Sequence, residues 1–276
     1  MSEQASSEQA SPKQTSGSGA SKIKMFMTID ASICLLAGVG VGLLGLAGPI
    51  GVWLGLSDFR QGFDFLRIVN GWADWIAGGT LIVAIAIAII TKIKSVENGF
   101  KLSGIALIGT VSAALAWYVP ETFRPPEGTP AIHDIATDPY NPLQYIAIAP
   151  LRANAANNMD YGVMPNMTPR RHIDLQLEAY PDIVPQRFDA SVEEVFNRAM
   201  AAVNKLGWEV VDANLAAGRI EATDTTFWFR FKDDIVIEIK LDGRESVLNA
   251  RSLSRVGTSD VGKNAARLRE FFALLQ

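Results

Sequence analysis

The chain has little of the chemistry that cross-links small domains or builds metal sites. Its 276 residues include one cysteine, Cys34, and only two histidines. A single thiol excludes an internal disulfide framework and a cysteine-based structural zinc site. The net charge of −4 lacks the basic surplus that nucleic-acid binding requires, so we expect no nucleic-acid partner. We also predict no cofactor and no bound metal.

Charge is missing from three long stretches in the first half of the chain. Residues 31–57, 75–91 and 102–120 contain no Asp, Glu, Lys or Arg. A membrane-spanning helix needs about 20 apolar residues, and a bilayer admits only helices or closed barrels. We therefore predict a membrane region over residues 28–119 with three transmembrane helices, at about residues 31–56, 73–92 and 102–119.

The start of the chain predicts a tail and an orientation. Residues 1–21 contain almost no large apolar side chain, so we predict a disordered cytoplasmic tail over residues 1–27. Lysines flank the first span on its N-terminal side and fill the loop after the second span, at positions 13, 22, 24, 92, 94 and 101. The positive-inside rule places both regions in the cytoplasm. Three spans then deliver the C-terminal domain to the periplasmic side of a bacterial inner membrane.

Glycines in the first span match a dinucleotide-binding motif, but the neighbouring residues do not form the secondary structure that this motif requires. Residues 40–45 read Gly-Val-Gly-Leu-Leu-Gly, but that motif requires a preceding strand and a following helix. The pairs Gly38/Gly42 and Gly51/Gly55 instead have the spacing that lets membrane helices approach closely. We favour helix packing, either within the chain or between protomers.

Two further features of the first half bear on function. The segment of residues 57–69 places Phe59, Phe63 and Leu66 at helical spacing, which predicts a short amphipathic helix. It lies either in the membrane interface or against the spans. No charged residue lies in the middle of a span, whereas transporters usually carry ionisable groups there.

The second half has the pattern of a folded domain. Residues 120–189 are dense in Pro, Asn and Asp, which favour turns, so we predict an irregular wrapping segment with one strand at residues 144–149. From residue 190 the order is a helix after Ser191, four to five strands, and a helix at residues 261–275. The predicted fold class is α+β, with an antiparallel four- to five-stranded sheet and two helices packed on one face.

The two faces of this sheet are predicted from alternation along the strands. The apolar face under the helices is expected to hold Phe227, Phe229, Phe231, Ile235, Ile237 and Ile239. The opposite face is expected to show Trp228, Arg230, Glu238, Lys240, Asn249 and Arg251. Asp233 and Asp234 are interpreted as a hairpin turn between two strands, with an acid pair for hydrolysis as the alternative.

Three ordered blocks, at residues 132–138, 220–234 and 251–268, resemble the signature blocks of the DUF1499 family. The resemblance covers roughly residues 130–276. It implies a membrane-attached or exported bacterial protein and an envelope location. The family has no assigned activity, so the resemblance implies no catalytic residues.

Candidate catalytic residues are His133, Asp134 and Asp224. His133 and Asp134, with Asp138, His172 and Asp174, could bind a metal, but structural hydrogen bonding is the favoured interpretation. Residues 223–226, Thr-Asp-Thr-Thr, could hold a nucleophile or an anion. The favoured interpretation is a bulge in the strand, whose hydroxyls bond local backbone.

Candidate binding residues are Trp228, Arg230, Arg251 and Arg255. Exposed Trp and Arg side chains are common anchors of recognition surfaces, although Trp228 could instead lie beneath the wrapping segment. Residues 257–262 could hold an anion at the start of the last helix, but Asp260 already supplies a negative charge there.

The leading hypothesis is a non-catalytic, membrane-anchored extracytoplasmic binding or scaffold module of the bacterial cell envelope. Its expected partners are the lipid bilayer and either another envelope protein or an amphiphilic or anionic ligand. The alternatives are an envelope hydrolase using His133 and nearby Asp residues, and an accessory subunit of a membrane transport complex. The hydrolase requires His133, Asp134 and Asp224 to meet in one pocket.

Overall fold

A computed structural model describes residues 16–276 of the chain. The chain divides into two compact units between Phe123 and Arg124, four residues beyond the boundary expected between residues 119 and 120. Residues 1–15, the first part of the predicted disordered tail, lie outside the described residues.

The N-terminal unit consists of three long helices. They are α1 (Ser16–Trp53), α2 (Phe59–Lys94) and α3 (Gly99–Glu121), and all three are long and apolar enough to cross a membrane. Residues 16–27 are helical, which differs from the predicted tail, because they extend the apolar helix that follows them. The predicted amphipathic segment is likewise the first part of α2 and not a separate helix. Asp58 begins α2 with a capping box, in which its carboxylate accepts from the backbone N–H of Gln61 at 2.9 Å.

Glycine contacts hold α1 against α3. A Cβ on Gly38 would collide with the backbone of Gly109, and a Cβ on Gly109 would collide with the backbone of Cys34. A Cβ on Gly42 would collide with the side-chain hydroxyl of Ser112. Close approach through small residues is a general device of helix packing in membranes. The Gly38/Gly42 pair therefore packs helices within the chain, and the Gly-x-Gly-x-x-Gly match lies inside a continuous helix.

An ion pair joins the start of α1 to the loop between α2 and α3. Lys24 of α1 donates to Glu97 in that loop at 2.9 Å. The start of α1 and the loop after α2 therefore lie at the same end of the bundle.

The C-terminal unit is an antiparallel sheet with helices, which confirms the predicted fold class. In chain order the elements are β1 (Asp134–Ala136), a 3-10 helix (Ala149–Arg152), α4 (Pro169–Ala179), β2 (Gln186–Phe188), α5 (Val192–Lys205), β3 (Glu209–Asn214), β4 (Arg219–Thr225), β5 (Lys232–Asp242), β6 (Glu245–Ser254) and α6 (Lys263–Ala273). The strand order is β1-β6-β5-β4-β3, and β2 also pairs with β6.

The two faces of the sheet are covered differently. Ile235, Ile237 and Ile239 of β5 belong to the main core, which includes residues of α5 and α6. Because successive residues of a strand point to opposite faces, Val236 lies on the other side. There it packs with Tyr145 and Ile148. These two belong to a stretch with little regular structure, residues 137–161, which we call the cover segment.

Three local predictions for the C-terminal unit are wrong. Residues 144–149 form bends and enter the 3-10 helix, because their backbone N–H groups bond a side chain and not a neighbouring strand. Asp233 and Asp234 are strand residues of β5. The connection between β4 and β5 is instead the aromatic stretch of residues 226–231. The third wrong prediction is the bulge at residues 223–226. The bulge of the sheet lies instead in β3, between Val210 and Asp212.

The aromatic stretch also revises the predicted apolar face. Phe227 is 63% exposed and precedes β5, so it does not lie with the isoleucines beneath the helices. The backbone N–H of Thr226 donates to the carbonyl oxygen of Phe231 at 2.8 Å. This bond closes the stretch into a turn and removes it from the sheet.

Candidate functional site

Two adjacent aspartates of β5 organise the polar side chains of the C-terminal unit. Asp233 and Asp234 are both buried. Because neighbouring strand residues point to opposite faces, Asp234 lies beneath the cover segment and Asp233 lies toward α6. A buried carboxylate requires a charged or hydrogen-bonding partner, and each of these two binds arginine.

Asp234 lies between two guanidinium groups. Arg152, from the 3-10 helix, donates from Nη1 to Oδ2 of Asp234 at 2.5 Å. Arg255 donates from Nε at 2.9 Å and from Nη2 at 2.8 Å to the two carboxylate oxygens. Thr223 adds its hydroxyl to Oδ1 at 2.8 Å. Such charge-assisted bonds are among the strongest hydrogen bonds in proteins, and they fasten the cover segment to the end of the sheet.

Arg251 is the centre of a second network on the same face. It is fully buried and binds Asp134 with two parallel bonds, of 2.9 Å from Nε and 2.7 Å from Nη2. It also donates to the carbonyl oxygens of Leu143 at 2.7 Å and Met159 at 2.6 Å. Burial alone would lower the pKa of Arg251, but Asp134 outweighs it and holds that pKa above its ordinary value.

Aromatic rings enclose the Arg251 guanidinium. Its central carbon lies 5.1 Å from the ring centroid of Tyr145 and 5.3 Å from that of Tyr161. A desolvated cation over a ring face gains about 2 kcal/mol or more. Arg251 thus connects β1, β6 and two parts of the cover segment.

Glu221 is the third anchor of the cover segment. Its carboxylate accepts from the backbone N–H groups of Ile146 and Ile148, each at 2.8 Å. Arg219 donates from Nε to the same carboxylate at 2.9 Å. The side chain therefore supplies the hydrogen bonds that a neighbouring strand would have given residues 144–149.

A separate network lies on the α6 face. Arg267 of α6 donates to Asp224 at 2.8 and 2.9 Å and to Asp233 at 2.6 Å. Asn264, one turn earlier, donates to the carbonyl oxygen of His133 at 2.9 Å. These bonds fix α6 against the ends of β4 and β5 and against the residue that precedes β1.

Asp260 occupies the predicted anion position at the start of α6. Its two carboxylate oxygens accept from the backbone N–H groups of Gly262 and Asn264, each at 2.8 Å. Burial raises the pKa of Asp260 to about 6, against the opposing effect of these two bonds. The side chain thus takes the backbone donors that an external anion would need.

The two histidines are buried with unsatisfied ring nitrogens. Nδ1 of His133 has no hydrogen-bond partner, and neither nitrogen of His172 has one. The His172 ring instead packs edge-on against Tyr161, with centroids 4.8 Å apart. Burial lowers the pKa of His133, and it lowers the pKa of His172 to about 4. Both imidazoles are therefore held in the neutral form.

The residues of the predicted metal cluster have other roles. Asp138 accepts from the backbone N–H groups of Tyr140 and Asn141, each at 3.1 Å, and so stabilises a turn. Asp174 pairs with Arg170 one helical turn away at 3.1 Å. Across residues 16–276, no group of three or more His, Cys, Asp or Glu side chains is arranged to hold a metal ion.

The structure does not bring the predicted catalytic residues together. Asp134 binds Arg251 beneath the cover segment, whereas Asp224 binds Arg267 on the α6 face. His133 precedes Asp134 but is buried without a partner for Nδ1. These positions do not form the single pocket that the hydrolase hypothesis requires.

The predicted binding residues fall into two groups. Trp228 and Arg230 lie in the turn between β4 and β5. Arg251 is fully buried, and the Arg255 side chain is 17% exposed and bound to Asp234. Both arginines are therefore bonded within the domain, beneath the cover segment that lies over the sheet face they share.

Sequence reasoning missed the partners Arg152, Arg219 and Arg267. One signal for them was present: Glu221 stands between Ile220 and Ala222, and Asp234 directly precedes the apolar run of residues 235–237. A carboxylate inside a buried strand demands a cation. The sequence does not say which arginine supplies it.

Comparison with known proteins gives a family and no activity. No curated protein matches the chain. The model of the family described as "Protein of unknown function (DUF1499)" matches residues 134–275, which is just over half of the chain and includes Glu221, Asp234, Arg251 and Arg267. The chain therefore belongs to the DUF1499 family.

Proposed function

We propose that the protein is a membrane-anchored, extracytoplasmic binding or scaffold module of the bacterial cell envelope. Helices α1 to α3 provide the anchor, and their apolar surfaces are suited to contact with lipid. The C-terminal unit presents a surface to another envelope protein. The lysines at the start of α1 and after α2 support an extracytoplasmic C-terminal unit, because the Lys24–Glu97 bridge holds both regions at one end of the bundle and positive charge favours the cytoplasmic side.

The proposal rests on one observation. Buried charged side chains of the C-terminal unit bind other parts of the same unit and hold them in place. Asp234, Glu221 and Arg251 each bind the cover segment directly. A general acid or base must reach a substrate and needs a pKa near the working pH. Carboxylates bound to buried arginines are suited to positioning the backbone and not to proton transfer.

The fastened cover segment offers a surface for a partner. Ile146 is 67% exposed and Leu151 is 55% exposed. The backbone groups of both residues are bonded to side chains beneath the cover segment. The Ile146 N–H donates to Glu221, and the carbonyl oxygen of Leu151 accepts from Arg255. Apolar side chains on a rigid backbone lose little entropy on binding. Trp228 and Arg230 lie on the turn between β4 and β5, outside this surface.

Purification of the full-length protein in mild detergent tests this proposal. We expect a protein partner to copurify in stoichiometric amount and to be lost from the double variant Ile146→Asp/Leu151→Asp. Val184→Asp is the matched control, because Val184 is 47% exposed outside the cover segment. A native protein that carries no stoichiometric partner, or a double variant that keeps it, would contradict the proposal.

The predicted orientation has its own test. Leu241→Cys in a Cys34→Ser background places one thiol on an exposed position of β5. In intact cells with a permeable outer membrane, a thiol reagent that cannot cross the inner membrane should label this cysteine. Labelling only after the inner membrane is broken would place the C-terminal unit in the cytoplasm.

A further inference from the structure

Asp74 of α2 is an acidic residue on the outer surface of the N-terminal helices. In the sequence it directly precedes the charge-free run of residues 75–91. In the structure α2 continues for several turns in the other direction, to Phe59. Asp74 therefore lies well inside a helix, and its depth in a membrane depends on how α2 packs against α1 and α3.

Packing against α3 places Asp74 at the depth of a charge-free stretch. Its neighbour Ala73 is fully buried in an apolar cluster with Ala113 of α3. No Asp, Glu, Lys or Arg lies between Lys101 and Glu121. At a rise of 1.5 Å per residue, Ala113 is about 18 Å from Lys101 and about 12 Å from Glu121 along the helix. Asp74 is therefore level with the apolar part of α3 and not with either of its ends.

Two hydrogen bonds between α2 and α3 bracket this depth. Asn70, one turn before Asp74, donates from Nδ2 to the carbonyl oxygen of Trp117 at 2.8 Å. Thr80, on the other side of Asp74, accepts from the Thr110 hydroxyl at 3.0 Å. Both partners on α3 belong to its charge-free stretch, so Asp74 lies between two levels that are themselves inside that stretch.

The carboxylate at this depth has little to bind within its own chain. Asp74 is exposed, and the only bond to its side chain within residues 16–276 comes from the backbone N–H of Trp75 at 2.7 Å. Exposed apolar side chains continue past this level, at Ile50 of α1 and Ile68 of α2. A bilayer that covers them also covers Asp74. Ionisable groups at such a depth are rare, and they pair with other polar groups.

The same face of α2 is open to another helix. Gly71 and Gly78 are three residues before and four residues after Asp74, so all three line one side of α2. Both glycines are exposed, and a Cβ on either would meet no atom within 4 Å. Small residues let membrane helices approach one another closely. A partner helix could therefore reach the carboxylate of Asp74.

We infer that this face of α2, formed by Gly71, Asp74 and Gly78, binds a transmembrane helix of another membrane protein that carries a lysine or arginine at the same depth. Charge complementarity favours such a helix over a second copy of this chain, which would bring another Asp74 to this level. The basic residue two turns away on this side, Arg67, is about 10 Å nearer to the start of α2 and pairs with Asp64 at 2.9 Å. The inference requires α2 to span the membrane and does not depend on the partner of the cover segment.

Binding of model transmembrane helices to the full-length protein tests the inference. Two poly-leucine peptides of spanning length are compared, identical except that one has a single lysine near its middle. The protein carries a donor fluorophore at Ile93→Cys in a Cys34→Ser background, because Ile93 is exposed near the end of α2. The peptides carry the acceptor, and resonance energy transfer in phosphatidylcholine vesicles measures the affinity of each peptide.

We expect the protein to bind the lysine peptide about fivefold or more tightly than the leucine peptide, and Asp74→Asn to abolish the difference. Asp64→Asn is the matched control, because Asp64 is an exposed carboxylate of the same helix, and it should keep the preference. Far-UV circular dichroism checks that each variant keeps the fold. Equal binding of the two peptides, or a preference for lysine that survives in Asp74→Asn, would overturn the inference.

The glycines have a separate readout. Gly71→Ile/Gly78→Ile fills space that is open in the protein, so it should weaken binding of the lysine peptide by preventing close approach. Unchanged binding would overturn the assignment of this face. Energy transfer between donor- and acceptor-labelled copies of the protein, lost in the double variant, would assign the face to a second copy and overturn the choice of partner. The cover-segment variant Ile146→Asp/Leu151→Asp should bind the lysine peptide as before, so the two proposals fail independently.

Discussion

The two faces of the C-terminal sheet are stabilised by different means. Beneath α5 and α6, residues such as Ile237 and Phe271 form an apolar core, and the helices satisfy their own backbone groups. Beneath the cover segment the apolar cluster is small. There Glu221 and Arg251 bond to backbone groups, and Asp234 binds the Arg152 side chain. Irregular backbone can be buried only when its polar groups are paired. The comparison indicates that buried charge replaces secondary structure on the cover face.

The largest expected effect is on Arg251. The substitution Arg251→Met keeps most of the side-chain volume but leaves Asp134 buried without its cation and two carbonyl oxygens without donors. Breaking a buried ion pair costs about 3–5 kcal/mol. Pulse proteolysis of the full-length protein in mild detergent measures this loss of unfolding free energy. A cost below about 1 kcal/mol, the range of exposed pairs, would show that the cover face does not depend on buried charge.

A second prediction concerns the loss of stability at low pH. It involves His172, whose ring packs against Tyr161 at the end of the cover segment. The pKa of His172 is lowered by burial to about 4 in the folded protein, against about 6.5 when unfolded. Between these values the unfolded state binds more protons, so stability is lost as the pH falls from about 6.5 to 4. The loss attributable to His172 is about 3 kcal/mol.

Asp260 acts in the opposite direction and must be separated from His172. Its pKa is raised to about 6 by burial, so this carboxyl group favours the folded state as the pH falls through 6. Comparing the native protein with His172→Gln cancels the contribution of Asp260. The native protein should lose about 3 kcal/mol more than the variant between pH 7 and pH 4. Parallel pH profiles would show that His172 titrates normally.

The third prediction tests the carboxylate that replaces a strand partner. Glu221→Gln preserves shape but removes the charge that accepts from Ile146 and Ile148. Hydrogen bonds to charged groups contribute about 1.5–3 kcal/mol, so we expect a loss of that order and faster amide exchange at residues 146 and 148. Glu209→Gln, at an exposed position of β3, is the control and should change neither quantity.

The same contrast explains which features the sequence predicted. The helix after Ser191 and the isoleucines of β5 follow local periodicities, and the sequence identifies both correctly. Asp233 and Asp234 were misassigned to a turn because turn propensity is local. The partner of Asp234, Arg152, lies 82 residues away in sequence. Contacts at that separation leave no periodic trace, so the cover-face networks could not be predicted in detail.

The smallest expected effect is on Arg269. Its ion pair with Asp182 is exposed but has the same geometry as the buried pair of Arg251 and Asp134. Arg269 donates from Nε and Nη2 to the two carboxylate oxygens of Asp182, both at 2.6 Å, as Arg251 does to Asp134. Its side chain is 45% exposed and that of Asp182 is 51% exposed. Water and salt screen such a pair, so Arg269→Gln should cost about 0.2–1 kcal/mol, and less at high salt. Pulse proteolysis at low and high ionic strength measures both values. If Arg269→Gln cost as much as Arg251→Met, bidentate geometry and not burial would set the strength of these pairs, and the distinction between the two faces would not hold.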